Sequence, residues 1–399
     1  MDKKIVTLKE ETTQELSNIL NFWAKNTIDE TNGGFIGAID GDGTKHPEAE
    51  KGAVLNARIL WSYSAAYRIT KNEEYLKLAK RALEYNIKHF FDRKNGGSYW
   101  MLTPEGKPSN TRKQIYAIAF LIYGISEYVR ATGDEKPLSY AQDLFIAIER
   151  YSFDKQNNGY IEALSEDWQT LEDMRLSDKD ANSPKSMNTH LHILEAYACL
   201  YRVWKDVELE QQLKNLIEVF LDKIIDQQHG FFNLFFSMDW KHESQINSYG
   251  HDIEGSWLLW EAAEVLGDQQ VLQRVKPVIL KMAEQALRDG IDHEDGGMMN
   301  DGLFGKIEDS DKHWWPQAES VIGFFNAWQL SNDEKFLQAS INSWNFIKSY
   351  IIDHQKGEWF WRVSRTHQVY TQEQKTGPWK CPYHNSRMCM EIIERINSL

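Results

Sequence analysis

Apolar and aromatic side chains recur every three to four positions along most of the chain, as in Leu55, Ile59, Tyr63 and Tyr67. This spacing places them on one face of a helix. Five short polar breaks interrupt the pattern, and each combines a helix stop with an Asn or Asp that can cap the next helix. The breaks fall at residues 70–73, 132–135, 205–206, 266–268 and 331–334. The pattern therefore predicts a series of helical hairpins.

A longer repeat separates these hairpins. Six short segments combine glycine with a nearby large apolar residue, and we call them the marker turns. Their glycines are 60 to 71 residues apart and are Gly34, Gly97, Gly159, Gly230, Gly297 and Gly357. Because glycine tolerates positive φ, each marker turn predicts a tight turn leading into a small β-hairpin. A period of this length is typical of a repeat architecture.

The two ends of the chain supply one further hairpin. Residues 6–27 form a lone predicted helix before the first marker turn, and residues 383–397 form another after the last. Paired, they complete six hairpins and predict an all-α (α/α)6 barrel, with short β-hairpins in the loops at one end. Residues 1–399 would then be a single domain. An open solenoid of the same hairpins is the alternative, and the complementary end helices favour closure.

Composition narrows the function classes. The chain has 399 residues and a formal net charge of -14, which disfavours nucleic acid or an acidic membrane surface as a partner. No apolar stretch approaches a membrane-spanning length and the first residues lack a secretory pattern, so we expect a cytoplasmic protein. Cys199, Cys381 and Cys389 lack paired spacing and predict neither a disulfide framework nor a thiolate zinc site. The 15 Trp and 17 Tyr include side chains suited to stacking on sugar rings.

In a closed ring, every inner helix begins just after a marker turn. The first turns of all six inner helices would open at the same end of the central cavity, so polar and aromatic residues there should converge. This rule selects Arg58, Tyr116, Asn188, His190, His192, His251, Glu254, Trp314, Trp315, Gln317, Glu319, Trp379, Tyr383, His384 and Arg387. No phosphate loop, nucleophile elbow or dinucleotide fingerprint competes with them.

Two histidines in this set are candidate general acid/bases. His251 and Glu254 are three positions apart on one helical face, where the carboxylate can orient the ring or stabilise its cation. A surface ion pair is the alternative. His384 follows Trp379 and Pro382 at the predicted start of the last inner helix, and the alternative there is a capped core histidine.

An arginine and a possible metal site need separate interpretation. Arg58 lies in a strongly apolar helix, and a buried guanidinium needs a carboxylate or an oxyanion, so it is either a structural ion pair or an enolate stabiliser. His190 and His192 are two apart and face different sides of a helix. Zinc held by three imidazoles, with His251 and His384 contributing, is an alternative. Because the thiolate or carboxylate spacing of zinc sites is absent, we predict no metal.

Four motifs, in order, resemble the N-acylglucosamine 2-epimerase superfamily, and more closely its cellobiose 2-epimerase branch. They are residues 188–195 (Asn-Thr-His-Leu-His-Ile-Leu-Glu), 251–254 (His-Asp-Ile-Glu), 314–319 (Trp-Trp-Pro-Gln-Ala-Glu) and 379–385 (Trp-Lys-Cys-Pro-Tyr-His-Asn). The resemblance runs essentially end to end. His-Asp-Ile-Glu and Tyr-His-Asn are similar to the disaccharide branch rather than to the N-acetylglucosamine or mannose enzymes.

The resemblance implies an isomerase that reversibly inverts C2 of the reducing-end glucose or mannose in β-1,4-linked disaccharides such as cellobiose, lactose and mannobiose. After ring opening, one base removes the C2 proton to give a cis-enediolate, and a turn about C2–C3 presents the other face for reprotonation. The implied acid/bases are His251 and His384, since histidine has an ordinary pKa near 6.5. Arg58 with His192 would stabilise the developing oxyanion.

The resemblance also implies roles for the remaining site residues. Glu254 would orient His251 or assist ring opening. Sugar-hydroxyl ligands would be Tyr116, Asp180, Asn188 and Glu319, and stacking partners would be Trp315 and Trp379. No cofactor is implied, because the proton leaves and returns.

Rival functions stay open at this point. An inverting glycoside hydrolase on the same fold would need two carboxylates about 6.5–9.5 Å apart. Glu254 and Glu319 are the obvious pair, but the histidines would then have no role. A non-catalytic sugar-binding protein is a second rival, and an N-acylglucosamine- or mannose-type epimerase or isomerase is a third. We expect a small-molecule disaccharide as the ligand, and a monomer or weak homodimer.

Overall fold

The computed structural model describes residues 2–399, and within them the chain forms twelve α-helices. Their bounds are α1 Lys3–Asn26, α2 Ala53–Thr70, α3 Glu73–Tyr85, α4 Ile115–Thr132, α5 Leu138–Tyr151, α6 Met187–Val203, α7 Val207–Val219, α8 Tyr249–Leu266, α9 Gln269–Gln285, α10 Trp314–Ser331, α11 Glu334–Phe346 and α12 Tyr383–Asn397. The end helices agree with the predicted 6–27 and 383–397 to within three residues. Among residues 2–399, no helix combines the length and apolar character needed to cross a bilayer.

Six inner helices close into a ring. Helices α2, α4, α6, α8, α10 and α12 each pack against the next, and α12 packs against α2. Helix α4 is buried at every position from Ile115 to Val129, as expected for a helix surrounded by protein. The outer helices α3, α5, α7, α9 and α11 pack on the inner helices that precede them, and α1 packs on α12. The predicted (α/α)6 barrel is confirmed, whereas the single-domain organisation stays a prediction.

Four of the five polar breaks contain the predicted side-chain cap; at the second, α5 begins after Pro137 and no side chain caps it. Left-handed residues end four inner helices, at Lys71, Gly133, Gly267 and Asn332. Side-chain caps start four outer helices, at Asn72, Asp206, Asp268 and Asp333. These caps satisfy backbone groups that a helix end leaves unpaired, so the chain reverses direction within a few residues.

The strands lie between the end of one helix and the start of the next inner helix, and they pair antiparallel in sheets of two or three. Their bounds are β1 Ala38–Ile39, β2 Lys45–His46, β3 Lys51–Gly52, β4 Met101–Leu102, β5 Pro108–Asn110, β6 Lys113–Gln114, β7 Ala163–Leu164, β8 Lys185–Ser186, β9 Ile225–Asp226, β10 Phe231–Phe232, β11 Phe235–Phe236, β12 Asn247–Ser248, β13 Asp301–Leu303, β14 Lys306–Asp309, β15 Lys312–His313 and β16 Arg362–Val363. Single π-helical turns end four outer helices, at Asn86–Phe90, Phe220–Ile224, Ala286–Gly290 and Ile347–Ile351.

Five of the six marker turns share a buried ion pair. In the second, Asp92 accepts hydrogen bonds from the backbone N–H groups of Lys94 and Asn95, and Lys113 Nζ lies 2.6 Å from Asp92 Oδ2. Equivalent pairs are Lys51–Asp29, Lys185–Asp154, Lys312–Asp292 and Lys375–Asp353. Four of these five lysines stand just before an inner helix, so the pairs hold the marker turns against the helix starts that surround the cavity.

We expect Lys113→Met to lower the free energy of unfolding by about 3–5 kcal/mol, because Asp92 would remain as an uncompensated buried charge. Burial alone would raise the pKa of Asp92, but hydrogen bonds from Lys113 and Asn95 lower it to about 2. Urea denaturation measures the change. Lys77→Met is the matched control, since Lys77 forms an exposed pair with Glu74, and its loss should not measurably change stability. Equal effects of the two substitutions would contradict this account.

Candidate active site

A cavity of about 490 Å³ opens at the end of the ring where the inner helices begin. Ten of the eleven residues expected to form a site line it. They are Arg58, Tyr116, Asp180, Asn188, His192, His251, Glu254, Trp315, Trp379 and His384. The eleventh, Glu319, lies behind the wall. The fold thus brings together side chains that are more than 300 residues apart, while the roles expected of them stay predictions.

His384 is held by a carboxyl group. Its Nδ1 lies 2.7 Å from Glu319 Oε1 and 3.9 Å from Glu254 Oε1. Burial lowers the pKa of His384 well below its usual value, and the nearby Arg58 and Arg387 guanidiniums add to this shift. Because Glu319 occupies Nδ1, Nε2 is the nitrogen left to act in the cavity.

Glu319 differs from the sugar-hydroxyl ligand that we expected. It is fully buried, it is absent from the cavity wall, and protein groups occupy both of its oxygens. Trp257 Nε1 donates to Oε2 at 3.0 Å, and Arg387 Nη2 donates to Oε1 at 2.7 Å. Glu319 therefore contacts His384 rather than the space available to a ligand.

His251 is held by a hydroxyl group. Its Nδ1 lies 2.9 Å from Ser248 Oγ, at the start of α8. The expected orienting partner, Glu254, instead accepts a 2.6 Å hydrogen bond from Arg387 Nη2, so that expectation is corrected to Ser248. Burial lowers the pKa of His251 to about 3, with smaller contributions from His192 and Arg58. His251 is therefore neutral near pH 7, and its ring can accept a proton.

Arg387 is the charged centre beneath the cavity. It is fully buried and forms ion pairs with Glu195, with Glu254 at 2.6 Å and with Glu319 at 2.7 Å. Burial raises the pKa of Glu319 to about 8 despite Arg387, and repulsion from Glu254 contributes to the rise. One guanidinium therefore faces three carboxyl groups, and Glu319 has a strong tendency to hold a proton.

The same group of side chains contains atoms of the kind that ligate metal ions. Among residues 2–399, Glu254, Glu319 and His384 bring three potential ligand atoms within 4.8 Å of one another. Arg387 already donates to both carboxyl groups, and a guanidinium does not lose its charge in a protein. A metal ion would have to displace that cation, so these residues do not fit a metal site.

Arg58 has no carboxylate within ion-pair distance in the described part of the chain. Its Nη2 donates to Tyr116 Oη at 2.8 Å, its Nη1 lies 3.9 Å from Cys381 Sγ, and its Nε has no partner. The guanidinium carbon lies 4.2 Å from the centre of the Phe120 ring. Of the two interpretations from sequence, the structural ion pair is excluded. A buried, unbalanced positive charge at a cavity wall attracts an anion that forms there.

His192 differs from its expected role beside Arg58. Its Nδ1 lies 3.0 Å from Glu195 Oε2, and burial lowers the pKa of His192 to about 3. The ring is therefore neutral, and the Glu195 acceptor assigns its proton to Nδ1. Nε2 then carries a lone pair. It can accept a hydrogen bond from a sugar hydroxyl, but it cannot donate a hydrogen bond to an oxyanion.

Indole rings form the sides of the cavity. Trp315 contacts both histidines, with ring centres 4.6 Å from His251 and 5.7 Å from His384. Trp379 packs 6.0 Å from Tyr116. Of the adjacent pair, Trp315 is half-buried and Trp314 is buried against Trp361, and both line the cavity, so a single stacking face stays a prediction.

Several cavity residues were missed from the sequence. Asn300, His313 and Trp361 line the wall but precede the inner helices, and the segment 176–179 does so from the long loop before α6. That loop also carries Asp180, which accepts hydrogen bonds from Ser177 N and Oγ, and burial raises its pKa. Helical spacing gives no signal in such loops. Of these residues, Trp361 could have been identified from the sequence, because it lies two positions after the last marker turn.

Two residues selected by the convergence rule serve the marker turns instead. His190 Nε2 accepts the backbone N–H of Tyr160 at 2.9 Å, and its Nδ1 lies 2.6 Å from the Ser186 carbonyl oxygen. Gln317 Oε1 accepts the N–H of Met298 at 2.7 Å. Neither lines the cavity, so both are corrected to structural contacts that fix a turn against a helix start.

Comparison with known proteins gives concordant matches. Residues 34–387 match the family model described as N-acylglucosamine 2-epimerase (GlcNAc 2-epimerase). The chain is 50% identical over 387 residues to a cellobiose 2-epimerase of Bacteroides fragilis, covering 97% of this chain and 98% of that protein. A crystal structure of a sugar epimerase from a ruminal bacterium matches with a TM-score of 0.93 and 38% identity, over 97% of this chain and 98% of that one. The structure of cellobiose 2-epimerase from Bacillus thermoamylovorans matches with a TM-score of 0.93 and 40% identity, over 98% and 99%.

Proposed function

Because the chain belongs to the N-acylglucosamine 2-epimerase family, we propose that it inverts C2 of the reducing-end sugar in β-1,4-linked disaccharides such as cellobiose, lactose and mannobiose. Support for the disaccharide comes from the relatives that share a third to a half of the sequence along its full length, which are named cellobiose 2-epimerases. The reaction is an isomerisation, since no atom other than a returning proton is exchanged.

One observation carries the proposal: the unbalanced guanidinium of Arg58 shares a cavity with two neutral histidines. In the open-chain sugar, the proton on C2 is acidic because C2 is bonded to the aldehyde carbon, and the carbonyl group takes up the negative charge. When one histidine removes this proton, an N–H bond forms, and the electron pair of the broken C2–H bond stays on the sugar as an enediolate. Arg58 offsets that negative charge, and the opposite histidine returns a proton to the other face after a turn about C2–C3.

The walls suit a sugar. Trp315 and Trp379 provide apolar faces, while Asp180, Tyr116 and the lone pair of His192 Nε2 provide hydroxyl partners. Asn188 Oδ1 is buried without a hydrogen-bond partner in the described structure. An unpaired buried acceptor costs free energy, so a ligand hydroxyl that pairs with Asn188 would bind favourably.

A hydrolase is the weaker proposal. Glycoside hydrolysis requires two carboxyl groups on either side of a glycosidic bond. Glu319 is behind the cavity wall, and both it and Glu254 are bonded to the same nitrogen of Arg387. The pair of carboxyl groups that the sequence suggested, Glu254 and Glu319, therefore does not face a ligand from two sides.

Incubation of the protein with cellobiose in D2O tests the proposal. We expect a second disaccharide with mannose at the reducing end, and deuterium at C2 of that sugar. Methyl β-cellobioside is the control, because its blocked C1 prevents ring opening and it should neither epimerise nor exchange. Free glucose would indicate hydrolysis, and unchanged, undeuterated cellobiose would indicate a protein that only binds. The absence of a cofactor, a cytoplasmic location and a monomer or weak homodimer stay predictions.

A further inference from the structure

The two proposed acid/base histidines, His251 and His384, have chemically different neighbours. His384 Nδ1 contacts a carboxyl group, Glu319, at 2.7 Å, whereas His251 Nδ1 contacts a hydroxyl group, Ser248, at 2.9 Å. Each turnover needs a neutral base to remove the C2 proton and a proton-bearing acid to return one to the other face. Two neutral histidines alone do not meet this requirement, so the site must store one additional proton.

The ion-pair geometry indicates where that proton is held. Arg387 Nη2 is shared by Glu254 Oε1 at 2.6 Å and Glu319 Oε1 at 2.7 Å, so two carboxyl oxygens converge on one nitrogen. Two carboxylates that share a buried site do not both ionise readily, and one retains its proton. Glu319 is 2.7 Å from His384, whereas Glu254 is 3.9 Å away.

Charge balance leads to the same result. The guanidinium of Arg387 faces three buried carboxyl groups, Glu195, Glu254 and Glu319. With all three ionised, the cluster would carry a net negative charge away from water. One proton on Glu319 reduces that charge, which is the less costly state in a buried region.

We propose that Glu319 and His384 together store the proton that His384 delivers to C2, with Glu319 acting through His384 as a positioning residue. The inference rests on the proposed epimerisation. In the step, His251 Nε2 takes the C2 proton from one face and the electron pair enters the enediolate. On the other face, the His384 Nε2–H bond breaks as a new C2–H bond forms, and the proton of Glu319 moves to Nδ1. Afterwards, His251 loses its proton to solvent and the Glu319–His384 pair regains one.

The pH dependence of this pair reflects all the groups around it. Those facing His384 are Arg58 from α2, Tyr116 from α4, His192 from α6, His251 and Glu254 from α8, Glu319 from α10 and Arg387 from α12. The arginines disfavour an imidazolium, and the carboxyl groups favour a proton on the pair. The pair should lose its proton as pH rises, so inversion should decline on the alkaline side.

Glu319→Gln separates storage from packing, because a carboxamide N–H can donate a hydrogen bond to His384 Nδ1 but cannot transfer its proton. We expect kcat for inversion to fall about 100-fold or more, with KM changed less than about threefold. The C2 proton of the epimer that faces His251 should still exchange with D2O without inversion. The alkaline limb of the kcat/KM profile should move to lower pH. Trp257→Phe is the control, since it removes the hydrogen bond that Glu319 Oε2 accepts and leaves the proton of Glu319 in place.

The outcomes are distinct. Exchange without inversion in Glu319→Gln supports the inference. Equal loss of exchange and inversion, or an alkaline limb of the kcat/KM profile at the same pH as in the wild type, overturns it. Should the glutamine variant not fold by circular dichroism, Glu319→Asp provides the test. Aspartate can carry a proton and should keep inversion coupled to exchange, and its failure to do so in a folded protein overturns the inference. Wild-type protein that neither inverts nor exchanges would show that the proposed function itself is wrong.

Discussion

Replacement of either His251 or His384 by alanine is expected to lower kcat/KM for C2 inversion by about 100- to 10,000-fold, the usual contribution of a general acid or base. Each variant keeps one imidazole, so it should still exchange the C2 proton of the single epimer whose C–H bond faces that ring. The two variants should therefore retain exchange on opposite epimers. NMR of glucose-ended and mannose-ended substrates in D2O, each measured separately, reads out both effects.

The matched control for this experiment is His190→Gln. His190 is fully buried in α6, as are its neighbours, but it bonds backbone groups of a marker turn. Its loss should lower thermal stability without changing which epimer exchanges. Full activity in either alanine variant would contradict the two-base mechanism.

The same histidines set the acid limit of activity. Burial lowers the pKa of His251 to about 3 and that of His384 below its usual value. A base with a lowered pKa loses activity only when pH falls through that lower value. Wild-type kcat/KM should therefore hold through the ordinary histidine pKa of about 6.5 and decline at more acidic pH.

Arg58→Met is expected to lower kcat by about 100- to 1,000-fold with little change in KM, because the guanidinium interacts most strongly with the enediolate. The same substitution should leave the midpoint of thermal unfolding unchanged or raise it. In the described structure Arg58 has no carboxylate partner. The substitution therefore removes a buried charge that no counter-ion balances, and it leaves no buried carboxylate without its partner.

Arg58→Lys is the informative companion variant. An ammonium keeps the charge but not the planar fork that reaches both Tyr116 and the cavity, so we expect intermediate activity. Steady-state kinetics and differential scanning calorimetry on all three proteins make the comparison. Parallel loss of activity and stability in Arg58→Met would indicate that the residue serves the fold.

The ring was predictable from sequence because its signals are local and repeated. Helix caps such as Asn72 and Asp268 and turn glycines such as Gly97 each depend on a few neighbouring residues. Gly97 has a φ of 70°, and a Cβ there would lie 2.7 Å from Trp168. Such constraints act within a few residues of the turn or against one packed side chain, and six copies of them reveal the period.

The contents of the cavity were predictable, but the pairings within it were not. Helix position placed His251 and Glu254 on one face, yet Arg387, more than 130 residues later in the chain, binds Glu254, and Ser248 holds the imidazole. Glu319 was identified as a site residue, but its contact with His384 depends on how α10 and α12 pack. Which side chains pair with each other depends on the distances between helices, and the spacing of residues along one helix gives no information about those distances.

The packing of α1 on α12 has a consequence for biosynthesis. Helix α1 buries Leu16, Leu20 and Trp23, but its partner helix emerges from the ribosome only after more than 350 further residues. Its apolar face therefore stays uncovered throughout synthesis of the intervening hairpins, which fold from contacts close in sequence. Such long-range closure is slow relative to local helix pairing. The nascent chain consequently exposes an apolar helix face near its beginning until the ring is complete.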